Sequence, residues 1–293
     1  MTSTAHTDAF APIPPLYHYD PFKITDDTYL IRSLYGEGDA DPIAVYMNSM
    51  VILASEPVIV DTGTVGNREH WINDVFSLVE PKDVRWIFIS HDDHDHTGNL
   101  GEAMAMCPNA TLVTNWFQLE RLLGDFAFPL NRTRWVEEGE SFQAGDRKLV
   151  AVRPPVFDSP TTRGLYDTKS RVYWGGDTFA TPVLGPTDYF ADLDPEFRAQ
   201  GVQTFGSAVS PWVHLADTAK YNKQVDRVAA LDIEFAAGGH CPVLRRADVA
   251  ETLAILRTLP ESQPAKLPGQ AELEAMLAAM AIAPAAAHHA PLA

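Results

Sequence analysis

The first half of the chain alternates short β-rich runs with helical patterns. Runs rich in Val, Ile, Phe and Met predict strands, and apolar residues that recur every three or four positions predict helices. The helix expected over residues 67–79 begins with a capping Asn67 and ends before Pro81. The strands predicted here are 28–32, 47–54, 58–60, 84–90 and 110–114, and the other helices are 100–106 and 115–123.

The second half returns to strands and ends in helices. Strands are predicted over residues 133–136, 148–152, 171–176 and 233–237, and helices over residues 216–231 and 247–259. Strands and helices thus occur twice in a similar order. This repetition predicts an α/β fold made of two sheet-plus-helix halves that face each other.

Composition changes at both ends of the chain. Residues 1–16 are polar and Pro-rich and are expected to form a flexible arm, residues 17–260 the folded domain, and residues 261–293 a linker, a short helix and a low-complexity tail. The sequence does not start with a basic segment followed by an apolar one, and no apolar run reaches about 18 residues. We therefore expect a cytoplasmic protein with no membrane span.

Acidic residues outnumber basic ones by a wide margin. The chain has 22 Lys and Arg against 39 Asp and Glu, which gives a formal net charge of −17. Such a charge repels phosphate backbones, so no nucleic-acid partner is expected. Because Cys107 and Cys241 are the only cysteines, neither a disulfide framework nor a cysteine-based zinc cluster is available.

The densest group of ionisable residues follows the strand predicted over residues 84–90. Residues 91–99 read HDDHDHTGN and begin with six consecutive ionisable side chains. Such groups are seldom buried without partners, so they need either water, as in a solvated loop, or a cation. Three more residues of metal-ligand type also come just after predicted strands, namely Asp158, Asp177 and His240. Because sheet proteins place their sites at strand ends, the four segments together predict a metal centre.

The acidic loop resembles the His-x-(His/Glu/Asp)-x-Asp-His signature of the metallo-β-lactamase superfamily. The signature falls in register on four residues, His91, Asp93, Asp95 and His96. The superfamily's other landmarks match Asp61 in VIVDTG and His240 in GGH. The resemblance covers roughly residues 28–259 and implies an αββα sandwich with a two-metal site along one edge of the sheets.

Within that superfamily the sequence is most similar to the diiron core of flavodiiron proteins and of their single-domain oxygen-binding relatives. The similar stretches are VEPKDVRWIFISHDDHDHTGNL, CPNATLVTN, YWGGDTFA and GGHCPVLR. Carried over by motif position, the resemblance implies that one metal is held by His91, Asp93 and Asp158. It implies that the other metal is held by Asp95, His96 and His240, with Asp177 as the bridge.

The chain departs from this family's pattern in three ways. Asp93 stands where the family usually has Glu, and Asp158 stands where a His is expected. Only 33 residues follow Pro260, so no flavodoxin domain is expected, and electrons would have to come from a separate electron-donor protein. A carboxylate at position 158 also resembles the diiron oxygenases built on this fold.

The implied donor set contains four carboxylates and three imidazoles. Zinc in this fold favours imidazole-rich sites, whereas oxygen-rich coordination favours iron or manganese. Four Asp side chains also balance the charge of two divalent ions and stabilise higher oxidation states. We therefore expect two metal ions, with iron favoured and manganese or zinc as alternatives.

Two further residues are expected near the metals without binding them. Asp61 ends a strand and is predicted to orient a ligand His through its ring N–H, although a turn-forming Asp explains it equally well. His214, near a helix start, belongs either beside the pocket and the ligands or in the structural framework. Asp92 and His94 should point away from the site in this register.

Three functions are compatible with such a site. The leading hypothesis is a diiron protein that binds and reduces dioxygen or a related small oxidant such as nitric oxide, or that uses the oxidant to hydroxylate a small organic substrate. The second is a zinc hydrolase of an ester, lactone or thioester, in which Asp95 would orient the attacking hydroxide. The third is a non-catalytic oxygen-binding sensor. The sequence leaves the substrate, the electron donor and a homo-oligomeric state open.

Overall fold

The first sheet has seven strands, and the acidic loop follows one of them. This computed structural model describes residues 16–36, 43–124 and 126–282, so the predicted arm, apart from Leu16, and the tail from residue 283 lie outside the described residues. In order across the sheet, the strands are β1 (Leu16–Thr25), β2 (Thr28–Tyr35), β3 (Val45–Ile52), β4 (Val58–Val60), β5 (Trp86–Phe88), β6 (Thr111–Thr114) and β7 (Thr133–Trp135). The strands from β1 to β4 pair antiparallel, and those from β4 to β7 pair parallel.

A second sheet of six strands faces the first. Its strands are β8 (Ser141–Ala144), β9 (Arg147–Val152), β10 (Gly164–Asp167), β11 (Val172–Trp174), β12 (Phe235–Ala237) and β13 (Leu244–Arg245), in the spatial order β13-β12-β11-β10-β9-β8. All neighbours pair antiparallel except β11 and β12, which are parallel.

Helices cover the outer faces of both sheets. They are α1 (Arg68–Leu78), α3 (Leu100–Met106), α4 (Trp116–Leu122), α5 (Pro195–Val209), α6 (Thr218–Ala229) and α7 (Arg246–Leu256), while the single turn α2 (His94–Thr97) lies in the acidic loop. These elements belong to one unit, Pro14–Pro264, whereas α8 (Gln270–Ile282) belongs to a second unit. None of the helices in the described ranges is both long and apolar enough to cross a membrane.

The buried apolar residues divide into three layers that explain this order. Between the sheets, Phe88 packs with Leu165 and other inward-facing residues. On the outer face of the first sheet, Trp71 of α1 packs with Ile87 of β5. A third cluster joins α5, α6 and α7 to the second sheet. The helix-sheet-sheet-helix sandwich expected from the sequence is therefore confirmed.

Several elements were not predicted, namely α5, β1, β8, β10 and β13, and one local expectation was wrong. Helix α5 was not predicted. Its clearest sequence signal is the cap at its start, where Asp194 accepts hydrogen bonds from the backbone N–H groups of Glu196 and Phe197. Strand β1 was also missed, because its residues alternate irregularly between polar and apolar. Asn67 stands at the helix start as expected but does not cap it: its side-chain amide donates to Ser33 Oγ at 2.8 Å.

Strand direction brings the loops of interest to one edge of the sandwich. Asp61 directly follows β4, and the acidic loop follows β5, which is the parallel neighbour of β4. Asp177 and His240 follow β11 and β12, which are also parallel neighbours. Parallel neighbours end on the same side of a sheet, so residues far apart in sequence become close in space.

Candidate metal centre

The acidic loop folds into one short turn of helix. Asp93 is the residue before α2 and keeps its side chain out of the helix cap, which leaves the carboxylate free to face His91. Within α2, Asp95 and His96 are adjacent and their side chains converge. His94 on the same turn is exposed, as expected for a residue that points away from the site.

A first group of side chains surrounds Nε2 of His91. This atom lies 3.9 Å from Oδ2 of Asp93 and 3.7 Å from Oδ1 of Asp158. It also lies 3.5 Å from Oδ2 of Asp177. Because these residues come from three separate loops, their convergence is a property of the tertiary structure.

A second group forms around Oδ2 of Asp95. Nε2 of His240 lies 3.1 Å from this oxygen, and Nε2 of His96 lies 3.5 Å from it. Asp177 reaches this group as well, since its Oδ1 lies 3.1 Å from Nε2 of His96 and 3.5 Å from Nε2 of His240. All seven metal-ligand candidates of the sequence analysis are thus brought together in two groups.

Asp177 stands between the two groups. Its Oδ2 faces His91 in the first group, and its Oδ1 faces His96 and His240 in the second. The side chain is only 5 % exposed, so the carboxylate is shielded from water. A carboxylate with one oxygen toward each group is arranged to bridge two cations.

The three histidines all have their Nδ1 atoms engaged, which leaves Nε2 to face the centre. Nδ1 of His96 lies 2.8 Å from Oδ2 of Asp61, and Nδ1 of His240 lies 2.7 Å from the backbone oxygen of Tyr46. Nδ1 of His91 lies 3.0 Å from Oγ of Ser90. Because a carboxylate and a carbonyl can only accept, His96 and His240 carry a proton on Nδ1, so Nε2 is the atom that can bind a metal once it gives up its own proton.

The fit to a metal pair can be tested on polar atoms that have no other partner. Nε2 of His91, Nε2 of His96 and Oδ1 of Asp177 are buried and have no hydrogen-bond partner among the residues that the structure describes. Buried polar atoms are normally satisfied, so three of them within the two groups require an explanation. Two metal ions would satisfy these atoms, because each of the three is a candidate ligand atom in one of the two groups.

Asp61 is the most heavily bonded carboxylate near the centre. Besides His96, it accepts hydrogen bonds from the backbone N–H and the hydroxyl of Ser90 and from the indole N–H of Trp174. Its backbone has a φ of 57°, a left-handed conformation that Asp tolerates better than most residues. Asp61 therefore orients His96, as one of the two interpretations expected, and it also adopts a left-handed backbone conformation just after β4.

Carboxylates raise the pKa values of the histidines. Burial alone would lower the pKa of His240, but the charges of Asp177 and Asp95 raise it to about 10. Burial acts in the same direction on His96, and the carboxylates of Asp95, Asp177 and Asp61 raise its pKa well above the ordinary value. In the absence of metal these rings therefore hold protons at neutral pH.

The carboxylates of the centre respond in two different ways. Burial would raise the pKa of Asp177, but the three facing histidines hold it well below its usual range. Burial, together with the charges of Asp177 and Asp93, raises the pKa of Asp158 to about 6 despite the neighbouring His91. Asp177 is therefore a fixed anion, whereas Asp158 faces one histidine and two carboxylates and sits in the more anionic part of the centre.

One side of the centre is open to solvent. The side chains of Asp93, Asp95 and Asp158 are 46 %, 28 % and 24 % exposed, whereas His91 and His96 are at most 1 % exposed. A surface cavity of about 450 Å³ borders this side and is lined in part by Asp93, Asp95 and Arg121. A small molecule would therefore approach from the carboxylate side, over a base of buried imidazoles.

Two residues that were not predicted hold the loop of His240 in place. The side-chain amide of Asn48 donates to the backbone oxygens of Gly238 and Cys241, both at 3.0 Å. A Cβ atom at Gly239 would lie 2.7 Å from Cε1 of His96 and 3.1 Å from Oδ1 of Asp177, so only glycine fits there. In the sequence, Asn48 looks like an ordinary strand residue. The GGH stretch was the one sequence feature that pointed to a role for Gly239.

The imidazole of His214 is bound to helix α5. It lies in a 3-10 segment, Pro211–Leu215, and its Nε2 is 2.7 Å from Oγ of Ser207 on α5. Among the described residues it forms no hydrogen bond or ion pair with a candidate ligand. The segment itself also contacts the loop of Asp158, because the indole N–H of Trp212 donates to the backbone oxygen of Phe157 at 2.8 Å.

Two solved structures with the same fold are flavodiiron proteins or their relatives. Rubredoxin oxygen:oxidoreductase from Desulfovibrio gigas superposes with a TM-score of 0.72 at 17 % identity, over 84 % of this chain and 62 % of that one. The flavodiiron protein of Giardia intestinalis superposes with a TM-score of 0.71 at 14 % identity, over 83 % of this chain and 60 % of that one. The similarity to the fold of the flavodiiron core, expected from the motifs, is confirmed.

Sequence comparison finds curated relatives of the same kind. The anaerobic nitric oxide reductase flavorubredoxin of Pectobacterium atrosepticum is 24 % identical over 178 residues, which is 60 % of this chain and 35 % of the relative. The chain spans between about a third and a half of the length of the first curated relatives that it matches. A family model described as ODP family beta lactamase matches residues 45–240, more than half of the 293-residue chain. This chain therefore belongs to the ODP beta-lactamase family.

Proposed function

We propose that this protein holds a pair of iron ions and uses them to bind and reduce dioxygen or a related small oxidant such as nitric oxide. The observation that carries the proposal is the position of Asp177, whose Oδ2 faces His91 while its Oδ1 faces His96 and His240. A buried carboxylate directed to two histidine groups is suited to a dinuclear centre rather than to two independent sites.

The donor atoms favour iron over zinc. Four carboxylates and three imidazoles converge, and oxygen-rich donor sets suit iron and manganese better than imidazole-rich ones do. Four negative charges also offset the four positive charges of two divalent ions and stabilise a higher oxidation state. Manganese and zinc remain competitors, because most sites with nitrogen and oxygen donors bind zinc strongly.

Each side chain has a definite role in this proposal. His91, Asp93 and Asp158 would hold one ion, Asp95, His96 and His240 the other, and Asp177 both. A bound iron pair supplies electron transfer at two adjacent centres, which protein side chains do not provide. The buried imidazoles close one face of the centre, and the partly exposed carboxylates leave the opposite face open to a small neutral oxidant.

The names of the relatives support the same chemistry. One solved structure of this fold is named a rubredoxin oxygen:oxidoreductase, and one curated relative is named an anaerobic nitric oxide reductase. Reduction of either oxidant needs a supply of electrons, and we propose that a separate electron-donor protein provides them here. The similarity covers only part of these proteins, so the oxidant and the donor are properties to be tested on this chain.

The test is to produce the protein in iron-supplemented, zinc-depleted medium and to count its metals. We expect two iron ions per chain, an optical change when the reduced protein meets dioxygen, and oxidant consumption that depends on added reductant. Asp177→Ala should lose both ions, because it removes the bridge. His94→Ala is the matched control, since this exposed histidine lies on the same helical turn outside both groups.

Three results would speak against the proposal. A colourless, zinc-loaded protein that does not respond to oxygen and that cleaves a lactone or a thioester would make it a hydrolase, with Asp95 orienting the hydroxide. Slow oxidation of the reduced form without turnover would make it an oxygen-binding sensor. A single metal per chain would remove the dinuclear premise itself.

A further inference from the structure

We propose that Asp92 is a positioning residue that assembles one half of the metal pair. It would do so by fastening the loop that carries Asp158 to the loop that carries His91 and Asp93. The inference rests on the dinuclear site of the proposed function. It does not depend on which oxidant the site reduces.

Asp92 lies between two candidate ligands but turns its side chain to another loop. Its Oδ1 accepts hydrogen bonds from the hydroxyls of Ser159, at 2.6 Å, and of Thr161, at 2.7 Å. Its Oδ2 accepts one from Nε of Arg121 on α4. Because Ser159 directly follows Asp158 in the chain, the two hydroxyl contacts fix the loop next to a candidate ligand.

The same two loops are joined on the other side of His91. The backbone N–H of Arg163 donates to the backbone oxygen of Ser90 at 2.8 Å. The guanidinium of Arg163 in turn donates to the backbone oxygens of Thr161 and Thr162. The loop of Asp158 is thus fastened at Ser90 and at Asp92, with His91 between the two points.

Burial and charge make Asp92 suited to this role. Its side chain is only 6 % exposed, and the positive charge beside it belongs to Arg121, whose side chain is 46 % exposed. The carboxylates of Asp93, Asp158 and Asp177 all face His91, so they repel one another until a cation is bound. Hydrogen bonds that hold the loops together offset this repulsion and keep the group ready for a metal.

The second group of ligands depends on other contacts. His96 is held by Asp61, and His240 is held by the backbone oxygen of Tyr46. Asn48 secures the loop of His240 through two backbone oxygens. Loss of the Asp92 contacts should therefore weaken the group around His91 selectively.

The experiment is a titration of the metal-free full-length protein with Mn²⁺, followed by calorimetry and electron paramagnetic resonance. The wild type should bind two Mn²⁺ and show the spectrum of a coupled pair. In Asp92→Ala, one ion should bind with unchanged affinity and the other roughly 10- to 100-fold more weakly. At limiting Mn²⁺ the coupled spectrum should be replaced by that of an isolated ion.

Further variants separate positioning from a general effect on folding. Asp92→Asn keeps an oxygen that accepts from Ser159 and Thr161, so it should recover most of the affinity. The double variant Ser159→Ala, Thr161→Val keeps Asp92 but removes both donors, and it should reproduce the selective loss. Asp83→Ala, at an exposed aspartate on the approach to β5, should leave both ions in place.

The outcomes also separate this inference from the proposed function. Equal weakening of both ions, or no weakening in either Asp92→Ala or the double variant, would overturn the role of Asp92. A wild type that binds a single Mn²⁺ would overturn both proposals. A wild type that binds two ions and loses one selectively in Asp92→Ala, yet reduces no oxidant, would support the role of Asp92 and contradict the proposed function alone.

Discussion

Oδ2 of Asp61 accepts a hydrogen bond from Nδ1 of His96 at 2.8 Å, across 35 positions of the chain and with both side chains buried. The pairing fixes which ring nitrogen carries the proton and directs Nε2 toward Asp95 and Asp177. A residue that binds no metal therefore decides the orientation of one that does.

Asp61→Ala should weaken the ion held by Asp95, His96 and His240 by roughly 10- to 100-fold, because the His96 ring loses its orientation. Each buried donor left without an acceptor should also lower the free energy of unfolding by about 1–3 kcal/mol. Metal analysis and chemical denaturation measure the two effects. Trp174→Phe is the control, since it removes one donor to Asp61 but keeps the contact with His96. Unchanged metal affinity in Asp61→Ala would contradict the orienting role.

Gly239→Ala should reduce metal occupancy without changing any ligand. The added Cβ would lie 2.7 Å from Cε1 of His96, so either the ring or the loop of His240 must move. The comparison is Gly101→Ala in helix α3, where the added Cβ would lie 4.0 Å from a ring carbon of Phe126, an ordinary van der Waals distance. That control should keep both metals and gain up to about 1 kcal/mol in stability, because Ala favours helices. Full metal occupancy in Gly239→Ala, measured by elemental analysis, would contradict this prediction, because it would show that the loop of His240 can move without losing metal.

Metal binding should release protons and become weaker as the pH falls. The pKa of His240 is raised to about 10 by Asp177 and Asp95 against the effect of burial, so at pH 7 this ring is protonated and a metal must displace the proton. Below about pH 6 the protonation of Asp158 adds a second competitor, since burial raises its pKa to about 6. Calorimetry in two buffers of different ionisation enthalpy measures the release at constant pH. A binding enthalpy that is the same in both buffers would show that no protons are released and would contradict the prediction.

Asp158→His should shift the metal preference toward zinc and raise the reduction potential of bound iron. The substitution replaces a carboxylate by a neutral imidazole, so the donor set loses one negative charge and stabilises the oxidised state less. Competition between iron and zinc and a redox titration provide the measurements. Asp93→Glu, which keeps the charge, should leave the potential nearly unchanged. A potential that falls in Asp158→His would refute the charge argument.

Local patterns predicted the order of strands and helices and a metal centre at the strand ends, whereas the family resemblance implied the sandwich and the ligand set. The apolar runs around Val58–Val60 and residues 84–90 predicted buried strands, and the acidic loop after them pointed to a cation. Helix α5 was missed because its main signal is the cap at Asp194 rather than an apolar period. The division into an arm, a domain and a tail, the assignment of the seven ligands and the cytoplasmic location stay predictions.

The sequence by itself determined which chemical groups are available and where each lies relative to its own strand. The tertiary structure decided which atoms meet: Asp61 with His96, Tyr46 with His240, and Asp92 with Ser159. These contacts join residues that are between 35 and 194 positions apart. Local preferences carry no information about such pairs, because they form only when parallel strands end at one edge of the facing sheets.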